Sequence, residues 1–562
     1  MSSTQKTKES QDSDVVGTLM SLLVAFTLAM AFRGFVLEGF IIPTGSMGPT
    51  LMGAHVRIHS PATGYEYPAD ASSAVSIAAQ SGGATMPLPL IDPMISQRQP
   101  IGARPAGQFA QEARAGDRVL VLKPLYLVNE PHRWDVVVFK NPTDPAGDTQ
   151  NYIKRMVGLP NESFLLVDGD VFTGPLAAPV DSLAIARKPE FVQRAVWQPV
   201  YHSDYQPVVD RSALETAMRA RWEGPPWRAD PATLSKWTLS PARAWRFDGT
   251  GPTALVWNTE AWPVDDLNMY NIFRFAAESR RSADHISADF RRSYSFPVSD
   301  MRIAATIECA DLSKFSTVFE LTARSSVFRF ELSGASRSVH VTRSHQESGE
   351  LQDERTFAFT PRSDGLLPFE FWHVDQQLWV FIDGELVGQM PYDFRTLSDR
   401  VQASCFGRTV EQYVHNHTDR RAPTPPKLRW SFDSAAPFTV HRVWIDRDLY
   451  YQPALHDANN QNAINGEYLS GPAFATDWNH PAQVGPDEFV MLGDNSAASR
   501  DARLWGRAHR LVLETFGDAQ PGIVPRDMIV GRAWAVYFPA PIPMSPGGPA
   551  FIPDFGRLRL IR

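Results

Sequence analysis

Residues 116–126 read GDRVLVLKPLY, residues 133–142 read RWDVVVFKNP, and residues 151–162 read NYIKRMVGLPNE. Each stretch holds a short run of β-branched and apolar residues bounded by Gly, Asp, Pro or Asn, which predicts successive β-strands. The next apolar run is interrupted by Asp168-Gly169. This pair predicts a hairpin with a two-residue turn. The sequence therefore predicts a fold that is mainly β.

The bulk composition is that of a large globular chain. Its 562 residues predict two or three domains. Hydrophobic residues make up 43% and charged residues 21%, enough to build large cores. The net charge of −8 supplies no basic field, so we expect no nucleic-acid partner. Cys309 and Cys405 alone cannot form a zinc site, and their spacing leaves open whether they form a disulfide.

The N-terminus carries one apolar segment. Residues 15–32 contain no charge, and a run of this length just suffices to cross a bilayer as a helix. A cleaved signal peptide is the alternative, and the small residues at 29–31 fit it. Lys6 and Lys8 precede the segment and Arg33 follows it, a charge bias too weak to fix its orientation.

Two regions interrupt the predicted strands. Residues 53–115 are rich in Ala, Pro, Ser and Gly and are predicted to be an insertion that is partly loop and partly a small subdomain. His55 and His59 could share a metal, but they lie in a strand-like run with no third ligand, which favours structural or surface histidines. The second region is much longer, about residues 176–480, with a predicted helix at 212–222.

The long insert has β character of its own. Residues 326–332 alternate between apolar and charged residues, and Asp383-Gly384 predicts a turn between two strands. Short strands with regular turn signals predict a β-sandwich. The stretch WHVDQQLWVFIDGELVG, residues 372–388, is similar in pattern to the edge of concanavalin-A-like (laminin-G-like) jelly rolls.

Three separate segments carry residues suited to peptide hydrolysis. They read IPTGSMGPTL (42–51), YIKRMVGLP (152–160) and GDNSAASRDAR (493–503). Cleavage of a peptide bond needs a nucleophile, a base and donors for the developing oxyanion. A serine can be activated by a lysine whose pKa falls from about 10.4 toward neutrality through burial in apolar surroundings. Lys154 lies in such a run and Ser46 in a turn-forming one.

In this order, behind one membrane segment, the three segments resemble the bacterial type I signal peptidases, membrane-anchored serine proteases with a Ser/Lys dyad. The resemblance implies a β catalytic core behind one transmembrane helix, interrupted here by the insert. It implies that Ser46 is the nucleophile and Lys154 the general base. The Ser46 backbone N–H and the Thr44 hydroxyl would be the oxyanion donors, and Ser499 would hydrogen-bond Lys154 and orient its amine.

The resemblance also implies two supporting ion pairs, Arg155 with Asp494 and Asp501 with Arg503, which would brace the loop carrying Ser499. Ala502 departs from the serine frequent in relatives. The insert separates Lys154 from Ser499 along the chain, so it could displace that loop.

The implied function is removal of signal peptides from exported preproteins, after small residues at the −3 and −1 positions. The implied location is the inner cell membrane, with the N-terminus in the cytoplasm and the catalytic domain outside. The partners would be signal peptides and the lipid bilayer. The chemistry needs neither a metal nor an organic cofactor.

A second hypothesis is a membrane-tethered carbohydrate- or protein-binding module on a catalytically inactive scaffold. It rests on the size of the insert and on aromatic residues that could be exposed, Trp372, Trp379 and Trp444. The sandwich would then bind a glycan or a protein. The alternative is that these aromatic residues belong to the sandwich core.

The catalytic core is predicted to be divided among three segments of the chain, residues 35–52 with the nucleophile, residues 116–175 with the general base, and residues 485–540. The other predicted divisions are a cytoplasmic N-terminus (1–14), a transmembrane helix (15–34), an irregular insertion (53–115), a mixed insert (176–239), a β-sandwich (240–450), a linker (451–484) and a tail (541–562).

Overall fold

The computed structural model begins with one long helix, Thr4–Phe35. Its stretch Val15–Phe35 is, within the described residues, the one helix long and apolar enough to cross a membrane, although a signal sequence would meet the same criteria. The structure describes residues 4–80, 85–95, 100–143, 151–207, 209–240, 243–274, 295–362, 365–415, 425–456, 471–516, 520–545, 548 and 550–562.

An antiparallel eight-stranded sheet follows the helix, and we call it the core sheet. The strands predicted from the first three sequence runs are all present in it. It gathers strands from both ends of the chain, because the antiparallel register pairs runs that are far apart in sequence. In order across the sheet the strands are Leu37–Ile41, Arg118–Leu122, Ile529–Phe538, Val136–Lys140, Asn151–Gly158, Glu488–Leu492 and Ile523–Pro525, with Arg559–Leu560 paired to Ile529–Phe538.

A second, smaller sheet contains the predicted hairpin. Asp168 and Gly169 have φ angles of 49° and 84°, the left-handed conformation that a two-residue turn of this type requires. The strands in order are Ala184–Ile185, Asp170–Pro175, Glu162–Val167 and Ala482–Val484.

The long insert forms two facing antiparallel sheets, as predicted. Along Ser326–Ser333 the side chains alternate between buried and exposed positions, and the buried ones join a core between the sheets. One sheet runs Trp237–Leu239, Trp245–Phe247, Phe438–Arg447, Met301–Cys309, Leu366–Val374, Gln377–Ile382 and Glu385–Pro391, with Gln198–His202 paired to Phe438–Arg447. The other runs Trp227–Ala229, Gly251–Trp257, Lys427–Ser434, Phe315–Ala323, Ser326–Ser333, Ser338–His345 and Leu351–Ala358.

The strands of the sandwich reach beyond the predicted limits 240–450. Short strands in the region read as a mixed insert contribute Trp227 and Trp237 to the sandwich core. They were missed because runs of three residues are too short for alternation to show. At the other end, the segment predicted as a tail adds Arg559–Leu560 to the core sheet.

The aromatic residues that could have been exposed on the sandwich are mostly buried. Trp372 and Trp379 are 0% and 6% exposed, so the alternative that they are core residues describes them better than exposure does. They lie outside the main sandwich core, in a separate cluster that packs against Trp197. Trp444 is half-buried and stacks on His202. The preceding stretch of the insert therefore covers this face of the sheet.

Residues 53–115 contain more regular structure than their composition indicates. Two hairpins and two helices enclose a small apolar cluster, which also includes Ile272 and Phe273 from the long insert. His55 is buried and contacts the Gly53 carbonyl, whereas His59 is exposed. The elements are His55–His59, Glu66–Asp70, Ala71–Gln80, Pro87–Leu90, Gly102–Pro105 and Ala106–Gln111.

The remaining helices are short. The helix predicted at 212–222 begins after its cap, Asp210, and ends at Met218 because Arg219 turns left-handed. Cys309 and Cys405 are buried free thiols, so the disulfide left open by the sequence is not formed. The other helices are Leu125–Val128, Glu190–Val196, Leu397–Cys405, Val410–His415 and Arg510–Phe516, and short strand pairs join Leu455–His456 to Gly471–Pro472 and Ile542–Pro543 to Ala550–Ile552.

Buried ion pairs fasten the sandwich to the hairpin turn of the smaller sheet. Arg324 donates to Asp168 at 3.0 Å and to Asp300 at 2.5 Å. Arg400 donates to Asp168 at 3.1 Å and to Asp170 at 2.8 Å. Burial, with Asp300 nearby, raises the pKa of Asp170 to about 7. Two arginines from the insert thus compensate carboxylates that water does not reach.

We expect Arg324→Met to destabilise the protein by about 3–5 kcal/mol, because it leaves buried carboxylates without their cation. Their pKa values in the folded state would rise while the unfolded values stay the same, so the loss of stability should be larger at pH 8 than at pH 5.5. Thermal unfolding of both proteins at the two pH values measures this. Arg329→Met is the matched control, since Arg329 is 46% exposed and lies 3.6 Å from Glu320. Equal effects of the two substitutions would contradict the prediction.

Candidate active site

Ser46 lies in a tight turn directly after the first strand of the core sheet. Residues Gly45–Met47 form a 3₁₀ turn, closed by a hydrogen bond from the Gly48 N–H to the Gly45 carbonyl at 2.9 Å. Met47 and Leu51 are fully buried in the apolar cluster beneath the sheet. These anchors fix the turn, which we call the nucleophile turn, and leave Ser46 8% exposed.

Lys154 projects from the middle of the strand Asn151–Gly158 toward this turn. Its Nζ lies 2.6 Å from Ser46 Oγ and 3.0 Å from the Ile153 carbonyl oxygen. Lys154 pairs with Val137 of the neighbouring strand and is 3% exposed. The structure thus brings together the two residues that the sequence predicted as nucleophile and base.

The surroundings of Lys154 favour its neutral form. Burial lowers the pKa of Lys154 from its ordinary value of 10.5 to about 8, because an ammonium loses its hydration there. Asp501 and Asp494 oppose this shift, whereas Arg503 adds to it. A substantial fraction of the amine is therefore unprotonated at mildly alkaline pH.

The two predicted ion pairs are formed and fully buried. Arg155 Nε and Nη2 donate to the two carboxylate oxygens of Asp494 at 2.8 and 2.7 Å. Arg503 Nε and Nη2 donate in the same way to Asp501 at 2.9 and 2.8 Å. Bidentate ion pairs of this kind fix the relative orientation of the two side chains as well as neutralising their charges.

The insert leaves the loop 493–503 beside the nucleophile turn. Asp501 also accepts from the Gly493 N–H at 2.9 Å, and Asn495 N–H donates to the Ser46 carbonyl at 3.0 Å. A Cβ at Gly493 would lie 2.5 Å from the Ser46 carbonyl oxygen and 2.2 Å from Ser499 Oγ. The loop and the turn therefore pack too closely at this point for any residue but glycine.

Ser499 does not make the hydrogen bond to Lys154 that the resemblance implied. Its hydroxyl is buried but has no hydrogen-bond partner among the described residues. The Lys154 amine instead contacts Ser46 and the Ile153 carbonyl, while Ser499 packs over Gly493. Thr44 precedes the nucleophile turn, is exposed, and does not cap the turn with its hydroxyl.

Motif reasoning missed the asparagines that surround the nucleophile turn. Asn495 lies inside the motif 493–503, but the motif alone does not indicate that Asn495 contacts the nucleophile turn. Its Nδ2 donates to the Gly45 carbonyl at 2.9 Å. Asn268 and Asn271 come from the long insert and also contact the turn or its neighbours. No local sequence signal marks them, because their neighbours are set by tertiary structure alone.

Among the described residues, one group could hold a metal by geometry, namely Asp170, Asp300 and Asp375, whose ligand atoms lie within 4.8 Å of one another. These carboxylates already bind cations of the protein, Arg324 and Lys188 among them.

Comparison with known proteins found one family model that matches two segments of the chain. The family model "Signal peptidase, peptidase S26" matches residues 103–173 and 438–538. The matched segments contain Lys154 and the loop 493–503. The chain is therefore similar to the signal peptidase family over these two segments. A comparison with curated proteins gave no match.

Solved structures similar to this chain are β proteins. A carbohydrate-binding module, CBM66, from Bacillus subtilis is 7% identical, with 39% of this chain and 95% of that chain covered and a TM-score of 0.22. A B. subtilis protein with a galectin-like fold is 7% identical over 45% and 98%, with a TM-score of 0.24. A Bacillus licheniformis β-glucanase is 9% identical over 40% and 91%, with a TM-score of 0.22.

We expect Lys154→Met to raise the thermal unfolding midpoint at pH 7. In the wild type, Lys154 holds its proton less tightly in the folded state than in the unfolded chain. At about 1.4 kcal/mol per pKa unit, this lowers the free energy of unfolding by roughly 3 kcal/mol at pH 7. The substitution removes this cost, although it also removes the two contacts of the amine. Wild-type stability should therefore rise between about pH 8 and 10.5, and the difference between the proteins should shrink there.

Thermal unfolding at pH 7 and pH 10 tests this. Lys123→Met is the control, because Lys123 lies partly exposed beside Glu38. A Lys154→Met midpoint that lies below the wild type at pH 7, or a difference that does not change with pH, would mean that Lys154 is not a destabilised buried cation.

Proposed function

We propose that this chain is a membrane-bound serine endopeptidase that removes signal peptides from exported preproteins with a Ser46/Lys154 dyad. The observation that carries the proposal is the 2.6 Å contact between Lys154 Nζ and Ser46 Oγ, made by a lysine that is buried and whose pKa is lowered to about 8. The similarity to the signal peptidase family over two segments supports it.

In the proposed mechanism, acyl transfer begins from the contact between Ser46 and Lys154. Neutral Lys154 takes the proton of Ser46 Oγ as the oxygen attacks the scissile carbonyl carbon. The oxyanion is received by the Ser46 backbone N–H and the Thr44 hydroxyl. The ammonium of Lys154 then protonates the departing amine, and water activated by Lys154 hydrolyses the acyl-enzyme.

The base needs a fixed orientation, and the Ile153 carbonyl supplies it in place of Ser499. A carbonyl within a strand that is paired to its neighbour cannot rotate, so one N–H of the amine is directed away from Ser46. The lone pair of neutral Lys154 is then free to face the Ser46 hydroxyl.

The surface next to the apolar helix supports a location at a membrane. Trp534 and Tyr537 on the strand Ile529–Phe538 are 45% and 41% exposed, and Phe555 and Leu560 are exposed as well. Tyr537 lies against Gly39, in the strand that directly follows the helix. Exposed Trp and Tyr are typical of the bilayer interface. An extracytoplasmic catalytic domain and a preference for small residues at −3 and −1 follow from the family resemblance.

The alternative of a binding module on an inactive scaffold has less support. Trp372 and Trp379, the aromatic residues that prompted it, are buried under the preceding stretch of the insert. The contact between Ser46 and Lys154 is also one that a dyad mechanism needs and that a purely binding role does not require.

We expect the full-length protein in detergent to cleave a model preprotein, and Ser46→Ala and Lys154→Ala to reduce cleavage at least about 10³-fold, since a dyad acts as a unit. Ser182→Ala and Lys236→Ala, on the exposed surface of the insert, serve as matched controls. Cleavage that survives loss of either dyad residue would refute the mechanism. No cleavage by folded wild type would favour the binding module.

The kcat/KM of the wild type should rise with pH and level off above about pH 8, because only neutral Lys154 can accept the Ser46 proton. Initial rates between about pH 6 and pH 10, with stability checked at each value, measure this. A profile that is flat between about pH 6 and pH 9 would argue against a lysine base.

A further inference from the structure

A short segment of the long insert lies directly against the nucleophile turn. The ring of Tyr270 packs so closely that a Cβ at Gly45 would lie 2.4 Å from it, and one at Gly48 2.8 Å. Asn268 Nδ2 donates to the Gly48 carbonyl at 3.2 Å. Asn271 follows, 2% exposed. The insert thus forms one wall around the turn that presents Ser46.

Asn271 and Asn495 form a reciprocal amide pair. Each Nδ2 donates to the Oδ1 of the other residue at 2.7 Å. The second N–H of Asn495 donates to the Gly45 carbonyl at 2.9 Å. This arrangement has one consistent orientation, because an Asn495 oxygen facing the Gly45 carbonyl would place two acceptors together. The Gly45 carbonyl therefore selects this orientation, and Asn271 holds the Asn495 amide in place with two hydrogen bonds.

The carbonyl held by Asn495 belongs to the peptide group of the predicted oxyanion donor. The Gly45 carbonyl and the Ser46 N–H share one peptide plane and point in opposite directions across it. A hydrogen bond that fixes the carbonyl also fixes the direction of the N–H. The Asn495 N–H to the Ser46 carbonyl, at 3.0 Å, holds the next peptide group as well.

The segment carrying Asn271 is itself anchored to the rest of the insert. Arg447 at the end of a sandwich strand donates to the Asp266 carbonyl at 3.0 Å. Gln452 Nε2 donates to the Asp266 carboxylate at 2.6 Å. On the other side of Asn271, Ile272 and Phe273 are buried in the cluster of the small subdomain. Asn271 is thus held from both directions along the chain.

We propose that Asn271 is a positioning residue that, through Asn495, orients the Ser46 N–H toward the oxyanion. The proposal rests on the proposed function of the Ser46/Lys154 site and adds to it a residue supplied by the insert. It makes the insert a component of the catalytic apparatus, because the amide that holds Asn495 in place comes from outside the motifs that resemble the protease family.

Asn271→Asp is the sharpest variant, since it keeps the shape of the side chain and its acceptor for Asn495 Nδ2. It cannot donate to Asn495 Oδ1 and instead places an acceptor against that oxygen, so the Asn495 amide is no longer held in its position. Asn271→Ala removes both hydrogen bonds to Asn495 without adding a charge. It is the variant to use if Asn271→Asp does not fold. Asn479→Asp is the matched control, because Asn479 is exposed.

With a peptide substrate, we expect kcat to fall about 10- to 100-fold in both Asn271 variants. This fall should not exceed the fall in kcat that follows removal of an entire oxyanion donor. KM should stay within about twofold, because the donor acts on the transition state rather than on the bound substrate. The pH midpoint of the rate should not move, since Asn271 does not contact Lys154. A purely structural role would instead lower the amount of active enzyme and the unfolding midpoint together.

A peptide aldehyde gives a second readout. Ser46 Oγ adds to its carbonyl carbon, and the resulting oxygen occupies the oxyanion position. We expect its affinity to fall by a factor similar to kcat, while that of an uncleavable substrate peptide is unchanged. Unchanged kcat and aldehyde affinity in both variants, with active wild type, would overturn the role of Asn271 alone. An inactive wild type would overturn the proposed function and this inference with it.

Discussion

The burial of the Lys154 amine against Ser46 is the constraint on which the rest of the structure depends. An ammonium without water is costly, and this cost is what lowers its pKa to about 8. The charged side chains around Lys154 are largely paired with one another, so they hold the site together without stabilising the ammonium as water would. Asp494 is neutralised by Arg155 and Asp501 by Arg503, both pairs fully buried. Without Arg155 and Arg503, the two unpaired carboxylates would raise the pKa of Lys154, and the amine would stay protonated and unable to accept a proton.

The long insert between Lys154 and the loop 493–503 is compatible with this site because two of its segments contact it. One passes Asn268 and Asn271, which contact the nucleophile turn and Asn495. The other passes Gln452, whose carbonyl accepts from Arg503 at 2.8 Å. Lengthening a loop costs little further entropy once its ends are held together. The insert therefore packs against the loop through both segments.

The strands could be predicted because they depend on local pattern, and the proximity of Ser46 and Lys154 was implied by the family resemblance of their segments. Alternation marks Ser326–Ser333, and Asp-Gly pairs mark two hairpin turns. What failed depends on partners far away in sequence. Trp372 looked like a surface aromatic because nothing near it shows that the segment before the sandwich covers its sheet. The Ser499 hydroxyl does not contact Lys154, because its position depends on how the loop packs. Asn271 hydrogen-bonds Asn495, which is far from it in sequence.

Orientation of a lysine base can come from the main chain as well as from a hydroxyl. A serine hydroxyl rotates about its Cβ–Oγ bond and can accept or donate, so it orients an amine only when its own partner is fixed. The Ile153 carbonyl can only accept, and its strand is hydrogen-bonded to a neighbour, so its direction is set by the sheet. An amine that donates there has one N–H fixed, which leaves its lone pair able to face Ser46 when it is neutral. The strand that buries Lys154 therefore also helps to orient it, while the loop carrying Ser499 supplies the ion pairs and the Asn495 contacts beside it.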